Sequence, residues 1–204
     1  MSLNLRKIFK KSTDAKSVIV VSGLPRSGTS MMMKMLEAGG LEILTDNLRT
    51  ADASNPKGYY EYERVKALKA GDFDWLPQAR GKVVKIISAL LEFLPNQYPY
   101  KIVFMRRDMG EVLSSQRQML IRDGKGKDEV DDDRMAALYG NHLQEVESWL
   151  EQQPNISVLY VSYNQTLADP EPSLRQINPF LGGNLDLKAM LQVVDPNLYR
   201  ERRG

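Results

Sequence analysis

The chain contains no cysteine and one histidine, His142. The first absence excludes a disulfide framework, a thiolate zinc site and a cysteine nucleophile. The second excludes a histidine metal cluster and leaves a Ser-His-Asp triad only if His142 is its base. No stretch approaches the roughly 18 consecutive apolar residues of a membrane span. The start of the chain lacks the apolar core of a secretory leader. These features together predict a cytoplasmic protein. Charge of one sign is also lacking, with 28 basic against 26 acidic residues and a net charge of +2. That balance does not indicate a nucleic-acid partner. What is present is ordinary: 204 residues, 42% hydrophobic and 26% charged. This suffices for one domain with its own core.

The pattern along the chain divides it into three parts. Residues 1–16 hold five basic residues and one acid, net +4, with Leu5, Ile8 and Phe9 at i, i+3 and i+4. This reads as a terminal helix covering an edge of the core, with weak membrane contact through residues 5–11 as the alternative. Residues 17–195 form the predicted single domain, and 196–204 a basic tail. Apolar runs at Ser17–Ser22, Val83–Ile87, Lys101–Met105 and Ile156–Tyr163 read as strands, each followed by a helix-compatible segment. Such alternation predicts an α/β protein with a parallel sheet. Helical patterns run over Thr29–Ala38, closed by Gly39-Gly40, over Glu61–Ala70, and over Met135–Gln153. Asn55-Pro56-Lys57-Gly58 is a turn signal. Residues 122–134, with six acids and four bases, read as a mobile loop, or as a lid over a site.

Gly23-Leu24-Pro25-Arg26-Ser27-Gly28-Thr29-Ser30 follows a strand and opens a helix, which is the context a phosphate-cradling loop needs. Loop amides and the positive end of the helix converge on an anion. Gly23 and Gly28 keep side chains away from the approach, and Thr29 and Ser30 carry hydroxyl donors. The spacing is that of G-x-x-x-x-G-K-[ST], but Thr29 stands at the lysine position. That argues against ordinary triphosphate hydrolysis. Arg26 places a cation elsewhere in the loop.

Pro25-Arg26-Ser27-Gly28-Thr29-Ser30 resembles the 5′-phosphosulfate loop of sulfotransferases that use 3′-phosphoadenosine 5′-phosphosulfate (PAPS). The resemblance implies a P-loop NTPase-like three-layer fold with a mainly parallel sheet flanked by helices. It implies that Arg26 sits at the bridging or sulfuryl oxygens and that Ser27 to Ser30 cradle the 5′-phosphate. The family's second cofactor segment is a strand ending in arginine, with a serine eight residues later, holding the 3′-phosphate. Arg107 and Ser115 have this spacing, and so do Arg106 and Ser114. A planar guanidinium fork suits phosphate. Further similarity lies in Asn55–Glu61, in Val158–Tyr163 with Leu167, and in Phe180-Leu181-Gly182. The family's late basic segment is not found; Leu198–Arg203 reads as a solvated tail, with a substitute for that segment as the alternative.

The resemblance implies sulfuryl transfer from PAPS to a hydroxyl or amine on a small-molecule, carbohydrate or lipid acceptor. No metal is suggested. The candidate base is Glu61, then Glu63, then His142. Lys85, in an apolar strand, either points into the site or faces water from an edge strand. Tyr59, Tyr60, Trp75 and Tyr98 line an acceptor pocket or belong to the core. The alternatives are a small-molecule or nucleotide kinase with an altered loop, or a non-catalytic nucleotide-binding P-loop protein.

Overall fold

The structure, a computed structural model, describes residues 16–46, 60–122, 124 and 131–194. The N-terminal segment, the Asn55–Gly58 turn with Tyr59, most of the charged loop and the basic tail lie outside the described residues.

All four expected strands are present: β1 (Val18–Gly23), β2 (Val83–Lys85), β3 (Tyr100–Arg106) and β4 (Ile156–Ser162). They pair in parallel in the order β2-β1-β3-β4. Every residue of β1 is buried, as a central strand covered on both faces requires. Alternate residues serve different faces. Ile19, Val21, Val83, Val103 and Met105 pack under α1 (Thr29–Ala38) and the C-terminal helices. Val18, Val20, Val84, Ile102 and Phe104 pack against the opposite layer. That layer holds a 3-10 helix at Glu63–Ala70, α2 (Leu76–Ala79), a 3-10 helix at Ser88–Phe93 and α4 (Asp132–Glu151). Between β3 and α4 runs α3 (Met109–Arg122). After β4 come α5 (Tyr163–Ala168), α6 (Glu171–Phe180) and α7 (Leu187–Val193). The result is the predicted α/β fold of three layers.

α1 occupies the predicted residues. Met32, Met33, Met35 and Leu36 are fully buried, each contributing roughly 1.5–3 kcal/mol by leaving water. The helix ends where Gly40 turns left-handed at φ 94°. Gly40 N–H then donates to Glu37 O and Leu41 N–H to Leu36 O, the paired bonds of a glycine-closed helix end.

β1, β2 and β3 shift by one or two residues at their ends, β2 stopping at Lys85 rather than Ile87, and three further boundaries differ from expectation. Glu61–Ala70 becomes a 3-10 turn starting at Glu63; its buried residues, Val65 and Leu68, lie three apart, a spacing that a 3-10 helix keeps on one side. α4 begins at Asp132, inside the expected loop, because Asp131 caps it by accepting from Asp133 N–H at 3.1 Å. The strand at Ile156 ends at Ser162, whose hydroxyl accepts from Gln165 N–H at 3.3 Å and starts α5. β1 has β2 on one side and β3 on the other. Its carboxyl end is therefore the point where the chain order reverses, and ligands of open α/β sheets bind at such points.

Candidate functional site

The segment leaving β1 is held by backbone geometry that glycine allows. At Gly23, φ is +143°, and a Cβ would lie 2.5 Å from Ser27 Oγ and 2.6 Å from Met105 O. At Gly28, φ is +95°, and a Cβ would lie 2.2 Å from the Tyr163 ring. Between them Arg26 holds φ +71°, a conformation costly for a residue with a side chain. It is held from outside: Arg107 Nη1 donates to Arg26 O at 3.0 Å.

Several features suit an anion. Ser27 is buried, and its hydroxyl makes no hydrogen bond among the described residues. A buried hydroxyl without a partner is unfavourable unless a ligand supplies one. Gly28 offers α1 no side-chain cap, and the first turn carries no acid. The opening amides, which no helix pairs internally, therefore meet no negative group of the helix's own first turn. Thr29 and Ser30 lie in that turn, and Pro25 sits exposed at the loop's crest.

The second segment closes on the first. Arg107 follows β3, and its side chain is 7% exposed. Its Nε donates to Glu111 Oε2 at 2.9 Å, and its guanidinium lies 4.5 Å from the centre of the Tyr163 ring. Ser115, two turns into α3, accepts from Arg26 Nε at 3.0 Å. Loop, Arg107 and Ser115 thus form one cluster. Arg106 turns elsewhere: it pairs with Glu147 of α4 at 2.7 Å and stacks 3.9 Å over Tyr160. Of the two registers, the geometry joins the one containing Arg107 and Ser115 to the loop.

Three members of this cluster were not assigned from the sequence. Glu111 pairs with Arg107, and the i, i+4 spacing at the start of a helix was the signal available. Tyr163 lies beneath both Gly28 and Arg107; burial raises its phenol, while the charge of Arg107 pulls it down. Asn164 Nδ2 donates to Glu111 Oε1 at 2.9 Å, and its Oδ1 accepts from Asp108 N–H at 3.2 Å. Nothing local in the sequence pointed to that contact.

The candidate bases separate. Glu61 lies beside β2, 4.0 Å from Lys85 Nζ, with side chains 24% and 10% exposed. The Glu61 carbonyl accepts from Thr45 Oγ1 at 2.8 Å and from Asp46 N–H at 3.3 Å, which holds its backbone. Lys85 pairs in register with Val21, two residues before Gly23. It shares the alternating face of Val83 and Val21, the face under α1. The two residues named separately from the sequence are therefore partners near the mouth of the loop. Glu63 is exposed and paired with Lys66 at 2.8 Å. His142 Nε2 lies 2.9 Å from Ser88 Oγ, in a groove with Glu92, Glu145 and Trp149. Tyr60 donates to Glu37 Oε2 at 2.7 Å, and burial with this bond pushes its phenol well above the ordinary range. Trp75 is fully buried and belongs to the core, with Tyr98 packed partly against it from the same face. Among the described residues, no helix is long and apolar enough to cross a membrane.

Comparison with known proteins carries the site further. No curated protein sequence matches the chain. Among solved structures, the chain is similar to the sulfotransferase domain from the curacin biosynthetic pathway. That match has 17% identity and a TM-score of 0.53, over 88% of this chain and 78% of the other. It is also similar to the mouse sulfotransferase SULT7A1 complexed with PAP. There the identity is 21% and the TM-score 0.53, over 89% of this chain and 63% of the other. These likenesses agree on the fold. The sequence model of the sulfotransferase domain matches residues 16–201, which sets the kinase alternative aside. The chain belongs to the sulfotransferase domain family, whose enzymes transfer sulfuryl groups from PAPS.

Proposed function

We propose that residues 17–195 form one sulfotransferase unit that binds PAPS at the loop–Arg107–Ser115 cluster. The acceptor is a hydroxyl or amine of a small molecule, carbohydrate or lipid, and the location is cytoplasmic. The observation that carries the reading is the convergence of Arg26, Arg107 and Ser115 on a loop whose buried Ser27 hydroxyl has no partner among the described residues. PAP in the SULT7A1 structure supports the same nucleotide class.

In this reading the α1 amides with Ser27, Thr29 and Ser30 hold the 5′-phosphate, and Arg107 with Ser115 holds the 3′-phosphate. Arg26 stabilises charge building on the bridging oxygen as the sulfur–oxygen bond breaks. The acceptor oxygen or nitrogen forms the new bond to sulfur, and Glu61 takes its proton. Lys85 keeps the Glu61 carboxylate oriented. Products are the sulfated acceptor and 3′-phosphoadenosine 5′-phosphate (PAP). Titration calorimetry with PAP, AMP and ATP–Mg²⁺ tests the binding half. PAP is expected to bind most tightly; no binding of PAP at millimolar concentration overturns the reading. Transfer of labelled sulfate from PAPS to a panel of phenols, amines, sugars and lipids tests the chemistry.

A further inference from the structure

Glu111 is a charged group buried beside the nucleotide site that sulfuryl transfer does not itself require. Its side chain is 5% exposed and that of its partner Arg107 is 7% exposed. Taking such a pair out of water costs about as much as the attraction returns, so burial alone gives no reason to keep it. The surrounding bonds supply one. Glu111 Oε2 accepts from Arg107 Nε at 2.9 Å, and Oε1 accepts from Asn164 Nδ2 at 2.9 Å. Asn164 is itself oriented, because its Oδ1 accepts from Asp108 N–H at 3.2 Å. Asp108 Oδ1 accepts in turn from Glu111 N–H at 3.2 Å. The ring of contacts joins the end of β3, the start of α3 and the start of α5.

Arginine carries a flat fork on a long flexible stem, and its use as a phosphate receptor depends on the plane of that fork. Here the plane is set from three sides: Glu111 at Nε, Arg26 O at Nη1 and the Tyr163 ring against one face. We propose that Glu111, oriented by Asn164, is a positioning residue that sets the plane of Arg107 as receptor for the 3′-phosphate. It thereby sharpens discrimination between a 3′-phosphorylated nucleotide and its 3′-hydroxyl counterpart. This rests on the assignment of Arg107 to the 3′-phosphate made above.

The sign of the effect separates positioning from bulk charge. If Glu111 acted only as a negative charge near the site, its neutralisation would strengthen phosphate binding. As a positioning residue, its neutralisation weakens it. The experiment measures PAP and AMP affinities by calorimetry for wild type, Arg107→Ala, Glu111→Gln and Asn164→Ala, with thermal unfolding of each. Wild type prefers PAP, and Arg107→Ala loses that preference. Glu111→Gln lowers the PAP/AMP affinity ratio about tenfold, the scale of one hydrogen bond to a charged group. Asn164→Ala lowers it less, and AMP affinity stays at the wild-type level in both. A purely structural role would shift both ligands together. Should Glu111→Gln fail to fold, Asn164→Ala decides, since Asn164 is only half-buried. If wild type shows no preference for PAP, the nucleotide assignment fails and this inference fails with it. If wild type prefers PAP and Arg107→Ala does not, but Glu111→Gln and Asn164→Ala keep or raise the ratio, the positioning role alone is overturned.

Discussion

The carboxyl end of the sheet has two unlike halves. Where β1, β3 and β4 end, the loop, Arg107, Glu111, Ser115 and Asn164 are joined by hydrogen bonds of 2.9–3.0 Å, with the Tyr163 ring against Arg107. Where β2 ends, Glu61 and Lys85 approach only to 4.0 Å, and both retain some exposure. The first half is fixed by the protein's own bonds. Fixed donors there cost no reorganisation when charge develops. In the proposed function the second half is where the acceptor is received. In the proposed function, the difference separates two tasks that the sequence presented together: holding a constant nucleotide and admitting an acceptor.

The largest expected effect breaks the tight half outright. Arg107→Ala leaves Glu111 buried without its cation and lowers stability by about 3 kcal/mol or more. Denaturant unfolding measures this, and the preference for PAP over AMP is lost in the same variant. Gly28→Ala comes next. Its Cβ would fall 2.2 Å from the Tyr163 ring at a φ of +95°. A cost of about 3 kcal/mol follows from strain and overpacking together, seen in the unfolding midpoint. Glu61→Gln tests the loose half. Turnover falls about a hundredfold, the low end for removing a positioned base, while PAP affinity and stability hold. His142→Ala leaves turnover unchanged. If Glu61→Gln also abolished PAP binding, the division into halves would be wrong. The smallest effect belongs to Arg106→Ala, which removes a partly exposed pair with Glu147. Its cost stays within about 1 kcal/mol, and PAP binding is retained. Loss of PAP binding there would restore the Arg106/Ser114 register.

Much of this architecture was legible before folding. The four apolar runs became the four strands, and Thr29–Ala38 became α1 without a change of boundary. Both depend on local sterics: β-branched runs, helix-closing glycines and a loop whose glycines accept positive φ. The Glu63–Ala70 turn was misread as an ordinary helix because i, i+3 spacing fits either form. The site was legible as a set of residues and illegible as a set of contacts. Glu61 and Lys85 were each singled out, yet nothing in their spacing says that they meet. Arg106 and Arg107 were equivalent on paper. The fold turns one toward the loop and leaves the other on the surface beside α4. Nothing near His142 in the sequence says that its Nε2 meets Ser88, 54 residues away.

The sequence by itself determined the strand–loop–helix, the features that suit it to an anion and the family to which such a loop is similar. Those follow from residues within about one turn of each other, whose conformational preferences survive in any context. Only the tertiary structure decided which arginine bonds to the loop, which carboxylate holds it and which candidate carboxylate lies beside Lys85. The Arg107 bond to Arg26 spans 81 residues. A contact of that kind depends on the twist and order of the sheet. The burial that turns Glu111 from a solvated helix charge into a fixed partner exists only once the layers have closed over it.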